Sequence, residues 1–189
     1  MKRRIALFLL VALVLTSSVF AYTEEQVNTA DAMNHLGLFL GTNLGYELDN
    51  QLTRAQGVTL LVRMIGKEAE AVSATYQIPF TDVVPWARGY IGYAWTNGIT
   101  NGRSETMFDP DGVMTDYMFL TLTLRALGYS DSGENASFTW DSPYAKAQQV
   151  GLISRAVADA KFTRGDACRC SGMPWKPRST AAPRRSRTV

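Results

Sequence analysis

Two arginines stand at the same place relative to a predicted helix start, where they could form an anion receptor. Arg54 follows Thr53, and Arg164 follows Thr163. Threonine is a good N-cap because its hydroxyl accepts a hydrogen bond from an otherwise unpaired backbone N–H. A first-turn arginine can offer a fork of donors to a carboxylate, beside the free N–H groups of the helix. The alternative is a solvated arginine that is slightly disfavoured by the helix dipole.

A second candidate is the stretch FTDVVPWARGYIGYAWTNGITNG, residues 80–102. Trp86 could stack on a sugar ring, as aromatic side chains can. Its spacing, however, favours a place in the core, because the apolar residues here recur every three or four positions. The predicted buried stripe consists of Trp86, Ala87, Tyr90, Ile91 and Ala94.

Other residues of this stretch have simpler expected roles. Asp82 is predicted to cap the start of the following helix, with ligand contact as the alternative. Gly102 ends the second of two Asn-Gly turns and is a further candidate ligand contact. Tyr93 and Trp95 lie off the stripe and are expected to be exposed.

The chain offers little for catalysis or metal binding. A hydrolase needs a carboxylate pair or a nucleophile with a base, and Asp109 and Asp111 lie in a turn without a candidate base. That turn also lacks the ligand spacing of a calcium loop. Cys168 and Cys170 have no histidine nearby to complete a zinc site. We therefore expect no catalytic residue, no metal and no cofactor.

A repeat organises these residues. TRAQGVTLLVRMIG (53–66) aligns without gaps to TDYMFLTLTLRALG (115–128), and each reads as a Thr-capped helix ended by glycine. A second element is also shared: the end of a helix, followed by Gly and an aliphatic residue. It occurs as MNHLGL, AWTNGI and AQQVGL, ahead of Thr53, Thr115 and Thr163 respectively. One helical hairpin cannot bury its apolar faces alone, so three copies should pack together.

The N-terminal segment reads as a signal peptide, residues 1–21. A basic start is followed by an apolar run and then by Val19-Phe20-Ala21, which fits cleavage after Ala21. The alternative is an uncleaved anchor, for which the apolar run is short. We expect export, and no membrane span after cleavage.

The charge is segregated along the chain. All 17 acidic residues, but only 10 of the 19 basic ones, lie between Tyr22 and Asp166. This acidic body does not indicate nucleic-acid binding.

The third copy loses its pattern after Asp166. Gly172, Pro174 and Pro177 forbid a long helix, and the composition becomes basic. Two interpretations stay open for residues 167–189: a shifted reading frame, or a natural disordered basic tail. The predicted organisation is repeat 1 (22–67), repeat 2 (78–130), partial repeat 3 (138–166) and this tail.

The repeats resemble the S-layer homology (SLH) domain. The resemblance is carried by Phe80, Asp82, Trp86-Ala87, Ile91, Ala94, Gly98-Ile99, Gly102, Phe108-x-Pro110, Thr115 and Leu124-Arg125. Leu52-Thr53-Arg54-Ala55-Gln56 is similar to the family's ITRAE signature, and Phe162-Thr163-Arg164-Gly165-Asp166 is similar to a variant of it.

This resemblance implies an all-α fold in which SLH repeats pack as a pseudo-threefold helical bundle, here with an incomplete third repeat. It also implies grooves between repeats that bind secondary cell-wall polysaccharide or peptidoglycan-linked glycan, often pyruvylated, on the Gram-positive envelope. The implied ligand-binding residues are Arg54, Arg164, Asp82, Trp86 and Gly102. The second repeat departs from the family because Asp116 stands where the signature has arginine.

Two functions are therefore weighed. The first is a non-catalytic, exported module that anchors at the cell wall or S-layer by binding glycan. The alternative is a structural envelope protein that assembles with other envelope proteins without sugar. A small exported hydrolase is disfavoured for want of catalytic groups.

Overall fold

The computed structural model describes residues 22–153 and 161–171. Within these ranges it contains helices and isolated bridges but no β-strand, which confirms the all-α prediction for this part of the chain. No helix there reaches the length and apolarity of a membrane span. The helices are α1 (Glu24–His35), α2 (Arg54–Met64), α3 (Glu68–Ser73), α4 (Arg88–Thr96), α5 (Asp116–Ala126), α6 (Tyr144–Gln149) and α7 (Arg164–Ser171), with a 3-10 turn (Pro85–Ala87) leading into α4. The predicted signal peptide lies outside the described residues.

The predicted helix boundaries follow the cap chemistry. The Thr53 hydroxyl accepts from the backbone N–H of Gln56 at 3.2 Å, and the Gln56 side chain accepts from the N–H of Thr53 at 3.1 Å. This is the predicted capping box. The turns that follow the helices each need a left-handed residue, which glycine adopts without steric cost. Positive φ angles of 66–93° occur at Gly37, Gly66, Gly98, Gly128 and Gly151.

Each repeat packs its first helix against the second helix of another repeat. Helix α4 packs on α2, α6 packs on α5, and α1 packs on α7. Helix α2 also contacts α5. The apolar faces are therefore buried between repeats, as expected for hairpins that are too small to form a core alone.

The stripe predicted in residues 80–102 is correct except at its first residue. Ala87, Tyr90, Ile91 and Ala94 are buried. Trp86 is 56% exposed, so the prediction of a core position was wrong. It lies in the 3-10 turn, whose tighter winding puts its side chain off the α-helical stripe.

The expected exposure of Tyr93 and Trp95 was also wrong. Tyr93 is buried, and its ring lies 6.4 Å from that of Tyr76, which follows α3. Trp95 is half-buried, and its ring lies 5.0 Å from that of Phe80. A second layer of chain therefore covers this face of α4, and helical periodicity alone could not reveal it.

The third repeat extends further than its predicted boundary at Asp166. Helix α7 continues to Ser171, and Ala167 and Cys168 are fully buried. Burial against α1 stabilises this part of the helix despite its poor apolar pattern. The first five residues of the predicted tail, 167–171, thus lie in α7, and residues 172–189 lie outside the described part.

Candidate functional site

Helix α2 of the first repeat begins against a loop of the second repeat, residues 108–112. The backbone N–H of Arg54 donates to the carbonyl of Gly112 at 2.8 Å. The side-chain Nε of Arg54 donates to the carbonyl of Phe108 at 3.0 Å. The first turn of α2 is thus tied to the neighbouring repeat by both backbone and side chain.

Helix α7 begins in the same way against residues 46–50 of the first repeat. The backbone N–H of Arg164 donates to the carbonyl of Asn50 at 2.8 Å, and its Nε donates to the carbonyl of Tyr46 at 2.8 Å. The two arginines therefore occupy equivalent junctions, each between two repeats.

The two loops share an unusual backbone conformation. Glu47 and Asp109 have φ angles of 50° and 63°, a region that residues other than glycine rarely adopt. The two residues stand at matching positions in the repeat alignment. This conformation turns the carbonyls of each loop toward the helix start that they contact.

Asp82 holds the 108–112 loop rather than the helix that follows it in sequence. Its carboxylate accepts from the backbone N–H of Phe108 at 2.8 Å and from that of Asp109 at 2.7 Å. The prediction that Asp82 caps the helix start was therefore wrong. Burial alone would raise the pKa of Asp82, but these two N–H groups and the charge of Arg54 lower it below its ordinary value.

Arg54 is a buried cation whose charge is poorly compensated. Its side chain is 8% exposed, and its guanidinium lies 4.7 Å from the centre of the Phe108 ring. Further donors reach the carbonyl of Asn101 at 3.3 Å and the sulfur of Met118 at 4.0 Å. Within the described residues no carboxylate lies within the 4.0 Å of an ion pair. Burial, followed by repulsion from Arg103, lowers the pKa of Arg54.

Arg164 is buried to a similar degree, and its guanidinium lies 4.9 Å from the centre of the Phe39 ring. Burial lowers its pKa, and Glu47 opposes this only as a nearby charge. No ion pair joins it to a carboxylate in residues 22–153 or 161–171.

Two other arginines at matching repeat positions behave differently. Arg63 donates to Glu68 at 2.9 Å, and Arg125 makes a two-pronged contact with Asp131. Arg63 and Arg125 therefore each pair with a carboxylate five or six residues further along the chain. By contrast, the side chains of Arg54 and Arg164 donate to backbone carbonyl groups and not to carboxylates.

Arg54 opens into a groove of about 980 Å³. The groove is also lined by residues 101–103, residues 128–135 and Trp140. Arg103 is itself paired with Asp109 at 3.4 Å and is largely exposed.

The structure brings two of the five predicted ligand-binding residues together. Arg54 and Gly102 both line this groove, whereas Arg164 lies at its own junction. Asp82 acts from behind the 108–112 loop, and Trp86 is exposed outside the groove lining. Gly102 is required sterically, because an added Cβ would meet the Phe80 ring and the carbonyl of Ser104.

The third equivalent position carries Asp116, which is buried. It accepts a hydrogen bond from the Tyr144 hydroxyl at 2.9 Å. Burial, together with Asp116, raises the pKa of Tyr144 to about 12. A neutral donor thus satisfies the acid where the other repeats place a cation.

The sequence analysis missed Trp140 as a groove residue. It stands in the lead-in FTWDSP of the third repeat, two residues after Phe138, where the second repeat has Asp82. The alignment of the two lead-ins could have drawn attention to this exchange of an acid for an indole ring.

Metal-binding groups are absent from the part of the chain that the structure describes. No cluster of three or more histidine, cysteine, aspartate or glutamate side chains is arranged to hold an ion there. The groove lining combines the guanidinium of Arg54 with further charged side chains and aromatic rings: Arg103, Arg125, Asp131, Glu134, Phe108, Tyr129 and Trp140.

Comparison with known proteins bears on one segment of the chain directly. Residues 79–115 match the model of the S-layer homology domain, which confirms the resemblance read from the sequence.

Three relatives are cell-surface proteins by name. The chain is 31% identical over 184 residues to the middle cell wall protein of Brevibacillus brevis, an alignment that covers 88% of this chain and 17% of the relative. It is 32% identical over 146 residues to the surface layer protein of Brevibacillus choshinensis, covering 70% and 13%. It is 36% identical over 112 residues to the cell surface protein of Thermoanaerobacter kivui, covering 57% and 14%. The chain thus spans less than a fifth of the length of these relatives.

Proposed function

We propose that this chain is a non-catalytic, exported anchoring module that binds an anionic wall polysaccharide of the cell envelope. The observation that carries the proposal is Arg54, a nearly buried guanidinium that opens into a groove and has no carboxylate partner in the described residues. A buried charge is costly unless it is paired. A carboxylate of the ligand would supply the missing partner.

The polysaccharide is proposed to be a secondary cell-wall polymer with acidic, pyruvylated sugars, bound at the cell wall or S-layer. The SLH match and the names of the relatives support an envelope role. The second junction, at Arg164, is proposed as a further and weaker site, because its helix is shorter than α2. Asp82 and Gly102 support the site indirectly, by shaping its loops.

The three repeats are proposed to close into a pseudo-threefold bundle. Each of the three first helices packs on a second helix of a different repeat, so the contacts run from repeat to repeat in one direction. The equivalent carbonyl contacts of Arg54 and Arg164 have the same direction. The third junction would place Asp116 in the arginine position and is proposed not to bind an anion.

The second candidate function is assembly with other envelope proteins without sugar. It is favoured by three exposed leucines of the first repeat, Leu36, Leu40 and Leu44, which lie within nine residues of one another in the sequence. Exposed apolar side chains that lie together often mark protein contacts. It predicts self-association or capture of envelope proteins that does not depend on Arg54.

A wall-binding assay separates these functions. The purified chain is incubated with Gram-positive wall sacculi, either intact or stripped of secondary polysaccharide. Wild type is compared with Arg54→Lys, which keeps the charge but loses the fork, and with Arg88→Ala, which removes an exposed cation on α4. We expect binding to intact walls only, weakened about tenfold by Arg54→Lys, since a charge-assisted bond contributes about 1.5 kcal/mol or more, and unchanged by Arg88→Ala. Equal binding to stripped walls would refute the proposal.

A further inference from the structure

We propose that Trp140, with Tyr117 beside it, is an aromatic subsite on which one sugar ring of the ligand stacks while a carboxylate of the same ligand reaches Arg54. This inference rests on the proposed binding of a wall glycan. It adds a selectivity element: the groove would prefer an acidic saccharide over a simple carboxylate.

Trp140 is exposed but its backbone is held in place. The residue is 56% exposed, although tryptophan is usually well buried. Its carbonyl accepts from the hydroxyl of Thr121, a buried residue of α5, at 2.7 Å. A bridge between Thr139 and Ser142 closes a tight turn around it. An exposed ring on a backbone that is already held loses less conformational entropy when a ligand stacks on it.

Trp140 is connected to Arg54 along the groove. The centre of its ring lies 6.0 Å from that of Tyr117, with the two planes inclined at 60°. Tyr117 precedes Met118, whose sulfur lies 4.0 Å from the guanidinium of Arg54. Thr121, Trp140 and Arg54 all line the same cavity. Trp140 and Arg54 therefore line one groove, and Tyr117 contacts the ring of Trp140 from outside the groove lining.

The two features fit different parts of one sugar. The C–H face of a pyranose ring is apolar and can stack on an aromatic face, whereas a carboxylate pairs with a guanidinium. The groove, at about 980 Å³, is large enough to hold a ligand of more than one sugar ring. A lone carboxylate would use Arg54 only, and a neutral sugar would use Trp140 only.

The chain provides a matched control for this residue. Trp86 is also 56% exposed, but it does not line the groove. Loss of either ring removes the same kind of exposed surface, so a general effect of deleting a surface tryptophan would affect both variants equally. Trp86 was itself a candidate from the sequence, and the same comparison tests that prediction.

The experiment uses the full chain and soluble polysaccharide released from Gram-positive walls, in its native form and after chemical reduction of its carboxyl groups to alcohols. Binding is measured by calorimetry for wild type, Arg54→Lys, Trp140→Ala and Trp86→Ala. With the native polymer we expect Trp140→Ala and Arg54→Lys each to weaken binding about tenfold, because ring stacking and charge-assisted hydrogen bonds have effects of this size. Trp86→Ala should have no effect. With the reduced polymer, Arg54→Lys should match wild type, while Trp140→Ala should still be weaker.

The two proposals fail in different ways. Binding of the native polymer that is weakened by Arg54→Lys but unchanged by Trp140→Ala would overturn the aromatic subsite and leave glycan binding intact. Absence of wild-type binding would overturn both. A Trp140→Phe variant retains a ring, so it should bind more tightly than Trp140→Ala; equal weakening of the two would also count against stacking.

Discussion

The Nε–H of Arg54 donates to the carbonyl oxygen of Phe108 at 3.0 Å, while the guanidinium lies over the ring of the same residue. One side chain thus joins the first repeat to a loop of the second and also faces the groove. Asp109 and Asp82 act on Arg54 only as nearby charges, and within the described residues no carboxylate forms an ion pair with it. A site of this kind gives up stability that a ligand can restore on binding.

The two bracing arginines should differ in their effect on stability. Arg125 and Asp131 are only 12% and 11% exposed and share two charge-assisted bonds. Arg125→Met should lower the free energy of unfolding by about 3 kcal/mol, because removal of one partner leaves a buried carboxylate poorly compensated. Arg63→Met should cost about 1 kcal/mol, because Glu68 is 41% exposed and keeps its bond from Tyr90. Urea unfolding measures both.

A double variant tests the cause of that difference. Adding Asp131→Asn to Arg125→Met removes the buried charge and should recover part of the lost stability. If the double variant is as unstable as Arg125→Met alone, packing rather than charge explains the loss.

Acid should destabilise the fold partly through Asp82. Its pKa in the folded state lies below its ordinary value of 3.8, because backbone N–H groups and Arg54 outweigh the opposing effect of burial. A depressed pKa gives stability that is present above the unfolded-state pKa and is lost as the pH falls toward the folded-state value. The midpoint temperature of thermal unfolding should therefore fall as the pH drops below about 4. The fall should be less steep in Asp82→Asn, because asparagine does not titrate. Parallel curves for the two proteins would contradict this role.

The Tyr144–Asp116 bond should stabilise the contact between α5 and α6 at neutral pH. Tyr144→Phe leaves a buried carboxylate without this donor, so we expect a loss of about 1.5 kcal/mol in urea unfolding at pH 8. The pKa of Tyr144 is raised to about 12, so its contribution is complete below about pH 10 and is lost as the pH rises toward 12. The difference between the two proteins should shrink over that range. A constant difference would mean that the hydroxyl acts other than as a donor to Asp116.

The two thiols should be unreactive in the folded chain. Burial raises the pKa of Cys168 to about 12 and that of Cys170 to about 11. At pH 8 the thiolate fraction of Cys168 is then on the order of 10⁻⁴, and only the thiolate reacts. Iodoacetamide labelling followed by mass spectrometry should show slow modification that becomes fast in denaturant. Rapid labelling of both thiols without denaturant would show that residues 167–171 are not held in α7.

The helix starts could be predicted from single residues because capping is local. Thr53 and Thr115 each accept an N–H three residues later, a contact that depends on almost nothing else in the chain. The extent of α7 could not be predicted in this way. Its last residues have weak helical preference, and burial of Ala167 and Cys168 against α1 stabilises them.

The candidate site was predicted only in part. Arg54 could be found because an arginine that follows a helix cap is recognisable in the sequence. Gly102 could be found because Asn-Gly is a recognisable turn. The ring that faces the groove could not be chosen, since Trp86 and Trp140 are both exposed and differ only in which neighbours surround them. Asp82 was assigned to the wrong partner, because the N–H group that it accepts from belongs to Phe108, 26 residues further along the chain.

By itself, the sequence determined the helical repeats, their caps and ends, the arginines at two helix starts and the acid at the third. These depend on residue type and on spacing within about one helical turn, where local hydrogen bonds and periodic burial dominate. Only the tertiary structure decided that Arg54 meets the 108–112 loop, that Asp82 holds that loop from the other side and that Trp140 lines the same groove. Contacts of this kind form between repeats, and their geometry depends on how the helices pack, which no short stretch of the chain encodes.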